Sequence, residues 1–115
     1  MSTAADLIDR YYERLSAGDV DGVVAMYADD AEIVRFEGIS QTQDDIRAYH
    51  ESQLRRHPDM KLREIVDVVA SDDVLVADAL VDTDHGVAQF RDVIVFTDDG
   101  LFRVHVPGLR GYWGG

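Results

Sequence analysis

The sequence of 115 residues contains no cysteine, only two prolines and no long hydrophobic run. Without cysteine the chain can form no disulfide bond, no thiolate metal site and no cysteine nucleophile, and this composition is typical of cytoplasmic proteins. No apolar stretch approaches the roughly 20 residues that a membrane-spanning helix needs. The first residues also lack the basic and apolar regions of a secretory signal, so we expect a cytoplasmic protein.

Positive charge is scarce as well. Lysine and arginine together number 11 against 23 aspartates and glutamates, which gives a net charge of −12. A surface this acidic repels phosphate backbones and anionic lipid head groups, so we expect neither nucleic acid nor a membrane as a partner. The hydrophobic share of 46% is sufficient for a core, and the length predicts a single domain over residues 1–115.

The N-terminal half has the periodicity of helices. Apolar spacing predicts one helix over 4–16, a second over about 20–28 and a third from a cap at Thr42 to about His57. A short alternating segment at 31–36 predicts a strand between the second and third helices.

The C-terminal half changes to the alternating period of strands. Four strands are predicted, over 62–70, 74–82, 87–96 and 101–106, with turn residues between them. Helices first and strands second favour the α+β class. The predicted architecture is three N-terminal helices on one face of a strongly curved, mostly antiparallel sheet that encloses a pocket.

The common motifs of cofactor and metal sites are missing. The sequence has no G-x-S-x-G, G-x-G-x-x-G or G-x-x-x-x-G-K pattern, which excludes a nucleophile elbow, a dinucleotide fingerprint and a phosphate loop. The four histidines, His50, His57, His85 and His105, do not follow a zinc-ligand spacing. We therefore expect neither an organic cofactor nor a metal.

Asp92 lies in the most apolar of the predicted strands. Because side chains alternate across a strand, Asp92 shares a face with Phe90, Ile94 and Phe96. If that face is buried, desolvation would raise the pKa of the carboxyl and keep it protonated near neutral pH. If the strand lies at an edge, Asp92 would instead be solvated or paired with a distant basic residue.

The turn after this strand decides which residue Asp92 meets. With a two- or four-residue hairpin loop around Asp98-Asp99, Asp92 stands directly opposite His105, and the two would form an acid–base pair. A three-residue loop with Gly100 in the left-handed conformation would shift the register and separate them. His105 would then be an ordinary exposed strand residue.

Tyr11 is the candidate hydrogen-bond donor. It forms an inward row with Leu7 and Leu15 at helical spacing, so its hydroxyl needs a partner inside the protein. That partner could be a substrate oxygen or a backbone carbonyl, and the spacing does not decide between them. The residues predicted to line the pocket are Tyr27, Phe90, Ile94 and Trp113.

Three segments carry a shared pattern: Gly18-Asp19, the block Met26–Ala31, and the strand end with its turn at Phe96–Gly100. Together they resemble the SnoaL-like and ketosteroid isomerase-like branch of the nuclear transport factor 2-like superfamily. The resemblance implies a cone-shaped α+β barrel around a pocket for a small apolar molecule, commonly in a homodimer. It places Tyr11 at the oxyanion tyrosine and Asp92 at the protonated acid of the isomerase pattern.

The proton-shuttling aspartate of that pattern falls on Arg35 in this chain. A guanidinium stays protonated at any working pH, so Arg35 cannot move a proton between carbons and the steroid isomerase mechanism is not carried over intact. If Arg35 faces the pocket, it would bind a carboxylate, phosphate or enolate. If it follows the opposite face of its strand, it points to solvent.

These residues predict a cofactor-independent enzyme of the isomerase, cyclase or dehydratase type. Asp92 and His105 would transfer protons on an apolar carbonyl or polyketide-like substrate, with Tyr11 as donor to the developing oxyanion and Arg35 as anchor. The alternative is a non-catalytic module that binds a small molecule or dimerises on the same scaffold. The missing base at Arg35 supports that alternative.

Overall fold

The structure is a computed structural model that describes residues 3–113, with side chains as far as Gly111. Three helices come early in the chain: α1 Ala4–Ser16, α2 Val20–Val24 and α3 Gln43–Arg56. α1 begins at a capping box in which Thr3 and Asp6 each accept a hydrogen bond from the other's backbone N–H. At the start of α3 the Thr42 side chain accepts from the N–H of Asp45. Both helices start where the sequence predicts, and the cap at Thr42 is the predicted one.

Six strands between residues 3 and 113 form one sheet in the order β2-β1-β6-β5-β4-β3. Their bounds are β1 Tyr27–Arg35, β2 Gly38–Ser40, β3 Lys61–Ser71, β4 Val74–Thr83, β5 Gly86–Phe96 and β6 Phe102–Trp113. Neighbouring strands are antiparallel except for β1 and β6, which are parallel. The predicted α+β class with a mostly antiparallel sheet is confirmed.

The largest difference from the prediction lies between α2 and β1. The helical spacing predicted a helix to about residue 28, but α2 ends at Val24 and Tyr27 pairs with Phe102 of β6. The N–H of Phe102 donates to the carbonyl of Met26 at 2.7 Å. Pairing with the sheet thus satisfies backbone groups that a further helical turn would have used, and it overrides the local periodicity.

One strand was not predicted, and one predicted strand is too short. β2 was not predicted, because three residues are too few to show an alternating pattern; it pairs with β1 next to Arg35. β6 continues to Trp113 instead of ending at Val106, since β5 supplies pairing partners along that whole length. Pro107 is tolerated within β6, where the strand passes Asp92.

The core lies between α1 and the inner face of the sheet. α1 buries the five residues of its apolar stripe, which are Leu7, Ile8, Tyr11, Tyr12 and Leu15. The sheet contributes fully buried side chains that include Ile33, Leu75, Ile94 and Phe102. The same interior also contains buried Asp92, His50 and His105. None of the described helices is both long and apolar enough to cross a membrane.

The cap of α3 provides a test of this local structure. Replacing Thr42 by Ala removes the acceptor for the Asp45 N–H, and we expect a loss of about 1 kcal/mol in the free energy of unfolding in urea. Thr42→Ser keeps a hydroxyl and should lose no more than about half of that. Equal stabilities of the Ala variant and the wild type would show that the cap contributes nothing.

Candidate functional site

A buried carboxyl group lies at the centre of the interior. Asp92 of β5 is 1% exposed. The hydroxyl of Tyr12 on α1 donates to its Oδ2 atom, and the Nε2 atom of His105 on β6 lies 2.7 Å from its Oδ1 atom. Both carboxyl oxygens therefore have a hydrogen-bond partner, which is the condition for burying such a group without a large loss of stability.

The contact between Asp92 and His105 was predicted, but the register that produces it was not. His105 pairs with Ile94, and Asp92 pairs with Pro107. The turn is the three-residue alternative over 98–100: the Thr97 N–H donates to the carbonyl of Leu101, Gly100 has a φ of +78°, and a further irregularity follows in the ladder. The register is shifted as that alternative predicts, but the predicted separation of the two side chains is wrong. Asp92 and His105 are consequently diagonal neighbours on one face of the sheet, a separation that long side chains can bridge.

The hydrogen bonds continue from His105 into the interior. Its Nδ1 atom lies 2.6 Å from the Tyr27 hydroxyl oxygen, which is 3.1 Å from Nε2 of His50 on α3. If Asp92 is ionised, each donor can point along this chain toward the carboxylate, from His50 through Tyr27 and His105. If Asp92 carries a proton, the reversed direction satisfies the same bonds. The network can therefore gain or lose one proton at Asp92 without losing a hydrogen bond.

The tyrosine that contacts Asp92 is Tyr12, which was not among the predicted site residues; Tyr11, the predicted donor, lies beside it. Both belong to the buried stripe of α1, but a change of one residue turns a helical side chain by about 100°. The Tyr11 ring packs edge-on against Tyr12 and His105. Its hydroxyl forms a hydrogen bond with Tyr27 that acts to lower the pKa of Tyr27, against the larger effect of burial. Tyr11 thus joins the network through Tyr27.

His50 is held in its neutral form. Burial lowers its pKa to about 3, and the nearby His105 acts in the same direction. A neutral imidazole can both donate and accept, which is what a position at the end of this hydrogen-bonded chain requires. The sequence signal for His50 is its spacing of four residues from the buried Ile46, which places both on one face of α3.

Two adjacent hollows lie beside this network. An inner pocket of about 30 Å³ is lined by Asp92, Tyr12, Tyr11 and His50, among others, and is large enough for about one water molecule. An outer groove of about 860 Å³ runs between α3, the β1–β2 turn and β6. Four residues line both hollows and separate them: Tyr49, Gln53, Phe90 and Pro107.

Arg35 lines the outer groove, so of the two predicted orientations the structure has the one that faces a cavity. Its guanidinium carbon lies 4.9 Å from the centre of the Tyr49 ring, and its NH2 group donates to Ser40 at 3.2 Å. Tyr49, which the sequence analysis did not select, contacts Arg35 and also borders the pocket beside Asp92. Burial raises the pKa of Tyr49 to about 12, so it is a hydrogen-bond donor at neutral pH.

The predicted pocket-lining residues have different positions. Phe90 borders both hollows. Ile94 is fully buried in the core and Tyr27 in the hydrogen-bonded network, so neither lines these two hollows. The side chain of Trp113 lies outside the described part of the chain.

Comparison with known sequences identifies the family. The SnoaL-like domain matches residues 8–107. The chain belongs to the SnoaL-like family. No curated protein sequence matches it significantly.

Solved structures share this SnoaL-like fold at low sequence identity. A SnoaL-like protein of unknown function from Burkholderia thailandensis has a TM-score of 0.80 at 20% identity, over 96% of this chain and 100% of that one. A proposed isomerase of the SnoaL-like family from Agrobacterium tumefaciens has a TM-score of 0.78 at 16% identity, over 96% of this chain and 100% of that one. A proposed polyketide cyclase from Sinorhizobium meliloti has a TM-score of 0.76 at 15% identity, over 89% of this chain and 93% of that one. At these identities the comparison shows the fold and no more.

A second polar group in this SnoaL-like chain has the composition of a metal site. Among the described residues, ligand atoms of His57, Asp84 and His85 lie within 4.8 Å of one another. The Nδ1 atom of His57 is 3.0 Å from an Asp84 oxygen, and this hydrogen bond lowers the pKa of Asp84. The pair connects the end of α3 to the β4–β5 turn. If this group held a metal, His57, Asp84 and His85 would be its ligands.

The hydrogen bond from Tyr12 can be tested without a substrate. Tyr12→Phe leaves Asp92 Oδ2 buried without its donor, and we expect a loss of about 1–3 kcal/mol in the free energy of unfolding. Tyr11→Phe is the matched control, because the Tyr27 hydroxyl keeps His50 and His105 as partners. A larger loss in the Tyr11 variant would contradict the assignment of Tyr12 as the partner of Asp92.

The neutral state of His50 makes a second prediction. Its folded pKa of about 3 lies below the unfolded value of 6.5, so its contribution to stability is complete above pH 6.5 and is lost as the pH falls toward 3. The His50 ring signals in NMR spectra should not titrate between pH 8 and 5. Between pH 6.5 and 3 the wild type should lose stability relative to His50→Gln. A ring that titrates near pH 6.5 would contradict this prediction.

Proposed function

We propose that this SnoaL-like protein is a cofactor-independent small-molecule enzyme that transfers protons on an apolar carbonyl compound. The observation that carries the proposal is the Asp92 carboxyl group, buried, bonded to Tyr12 and His105, and bordering an inner pocket that adjoins a large groove. A carboxyl in such surroundings can exchange a proton with a bound carbon acid under exclusion of bulk water.

In the proposed reaction, Asp92 accepts the proton from the carbon next to the substrate carbonyl. The C–H electron pair becomes part of an enolate, and a hydroxyl placed at the carbonyl oxygen stabilises the charge. Tyr49 and Tyr11 both line the inner pocket and remain candidates for this donor. Return of the proton from Asp92 to a different carbon completes an isomerisation. Attack of the enolate on a second carbonyl of the substrate would instead give a cyclisation, in which the second carbonyl becomes an alkoxide and takes the proton back from Asp92.

His105 and Tyr27 have positioning roles in this proposal. Each oxygen of the Asp92 carboxylate has two lone pairs, so the carboxylate can take the substrate proton while His105 keeps its hydrogen bond to Oδ1 and Tyr27 holds the His105 ring at Nδ1. Arg35 takes no proton, because its guanidinium stays charged at any working pH. In the isomerase pattern an aspartate at the position of Arg35 carries the proton. Here Asp92 would carry it instead.

Access to Asp92 requires movement of the residues between the two hollows. The inner pocket is too small for an organic substrate, whereas the groove is in the range of ligand sites. Tyr49, Gln53 and Phe90 are only partly buried, and rotation of their side chains is a modest change. A substrate would therefore lie in the groove and extend one reactive carbon past these residues to the carboxyl.

Proton exchange on a model ketone tests the proposal without knowledge of the natural substrate. We expect the wild type to accelerate deuterium incorporation next to the carbonyl of 2-tetralone in D2O, followed by ¹H NMR. Asp92→Asn should reduce the enzyme-dependent rate by about 100-fold or more. Asp78→Asn is the matched control, because Asp78 lies on the neighbouring strand and pairs with Arg91 on the other face.

The same experiment separates the enzyme from a non-catalytic binding module. The near-complete burial of Asp92 and His105 favours that second function, since neither group meets solvent. Suppose that 2-tetralone binds, as measured by chemical-shift changes, but the wild type and Asp92→Asn exchange the proton at equal rates. That result would reject the enzymatic function and favour the non-catalytic binding module. The small apolar ligand, the homodimer and the cytoplasmic location stay predictions.

A further inference from the structure

The outer groove contains a buried hydrogen-bond donor without a partner. Among the described residues, the Nε atom of Arg35 is the buried side-chain polar atom that lacks any hydrogen bond. A buried N–H in this state costs free energy, and native proteins rarely retain one without a functional reason. The same guanidinium borders the groove, where a ligand that displaces the atoms covering Nε could supply the missing acceptor.

The surroundings of Arg35 fix its orientation. Its NH2 group is bonded to Ser40, and its guanidinium carbon lies 4.9 Å from the centre of the Tyr49 ring. A planar group held on one side by an aromatic ring and at one nitrogen by a hydroxyl has lost most of its freedom before a ligand binds. Such a preorganised fork suits a planar, two-oxygen acceptor.

The rest of the groove combines apolar walls with mixed charge. Phe36, Ile39 and Leu109 are exposed apolar residues that line it, and exposed apolar side chains gathered in one groove are typical of a binding site. Arg56 adds a second positive charge. Glu37 and Asp45 also line the groove, and their negative charges oppose a doubly charged anion more than a singly charged one.

We propose that the groove binds an apolar carboxylic acid, with the carboxylate on Arg35 and the apolar body against the aromatic and aliphatic walls. Together with the proposed function, on which this step rests, the substrate class becomes an apolar keto acid or a related acidic carbonyl compound. The carboxylate binds in the groove, and the carbon next to the carbonyl reaches Asp92.

The net charge of −12 does not oppose this assignment. At physiological ionic strength, interactions between exposed charges are largely screened beyond roughly 8 Å. The ligand carboxylate would meet Arg35 at hydrogen-bond distance, in a part of the groove where the guanidinium is partly buried and screening is weaker. Local charge therefore decides the selectivity.

A matched pair of probes tests the proposal by binding alone. 2-Naphthoate and 2-naphthamide have the same apolar body and differ in charge. We expect the wild type to bind the carboxylate roughly 10- to 100-fold more tightly by isothermal titration calorimetry. Arg35→Gln should reduce this preference to about twofold or less. 2-Naphthyl phosphate serves as a third probe and should bind more weakly than 2-naphthoate because of Glu37 and Asp45.

The controls keep this test separate from folding and from the chemistry. Arg63→Gln removes an exposed arginine that pairs with Asp82 away from the groove, and it should keep the full preference. Arg35→Lys keeps the charge without the planar fork and should keep part of the preference for the carboxylate. If Arg35→Gln does not fold, the reduced preference of Arg35→Lys tests the same contact. The two naphthalene probes have no proton for Asp92 to remove and only their binding is measured, so failure of the proton-exchange proposal leaves this result unaffected.

Three results would overturn the inference. The first is equal affinity of the wild type for 2-naphthoate and 2-naphthamide. The second is a preference that persists in Arg35→Gln, because the acceptor would then bind elsewhere. The third is tighter binding of 2-naphthyl phosphate than of 2-naphthoate, which would replace the carboxylic acid by a phosphate monoester as the ligand class.

Discussion

The burial of the Asp92 carboxyl group is the constraint on which the remainder of the structure depends. Removing such a group from water costs several kcal/mol if it is charged, and partners must offset that cost. Here the partners come from different elements: Tyr12 from α1 and His105 from β6, with Tyr27 of β1 and His50 of α3 behind them. One acidic residue thus fixes how two helices dock on three strands.

Stability alone is a weak reason for such a network. An apolar residue of similar volume often replaces a buried polar group with no loss of stability, whereas a half-satisfied network is worse than either. Tyr12 donates to Asp92, and the four side chains from Asp92 to His50 form a continuous chain whose hydrogen bonds can run in either direction. This property has no value for packing and is useful for moving a proton, and it is the physical argument for a catalytic role.

Local sequence patterns predicted those parts of the structure that depend on local interactions. The caps at Thr3 and Thr42, the long helices and the four C-terminal strands follow from capping chemistry and periodicity. The failures at Tyr27 and β2 occur where pairing with a distant strand decides the conformation of a short segment. The parallel pairing of β1 with β6 joins residues far apart in sequence, and no local pattern encodes it.

The sequence predicts which face of β5 carries Asp92, but it does not predict which side chains Asp92 contacts. Alternation along β5 placed Asp92 inside, yet the partner depended on the length of the turn at Thr97–Leu101, which shifted the pairing while leaving Asp92 and His105 on one face. The choice between Tyr11 and Tyr12 depended on the rotation of α1 about its axis. Periodicity places both residues in the buried stripe and cannot tell which one meets a given strand.

Tyr49 relates the two hollows to each other. It packs against the guanidinium of Arg35 on the groove side and borders the pocket beside Asp92 on the inner side. Movement of Tyr49 away from Arg35 sacrifices a cation–π contact, and an acceptor bound to the guanidinium can offset that loss. Binding energy from a part of the ligand that does not react would then be used to open the way to the carboxyl, as remote binding energy is used in catalysis. A neutral ligand would form a weaker hydrogen bond with the guanidinium than a carboxylate, so under this proposal the closed arrangement would favour ligands that bring a carboxylate to Arg35.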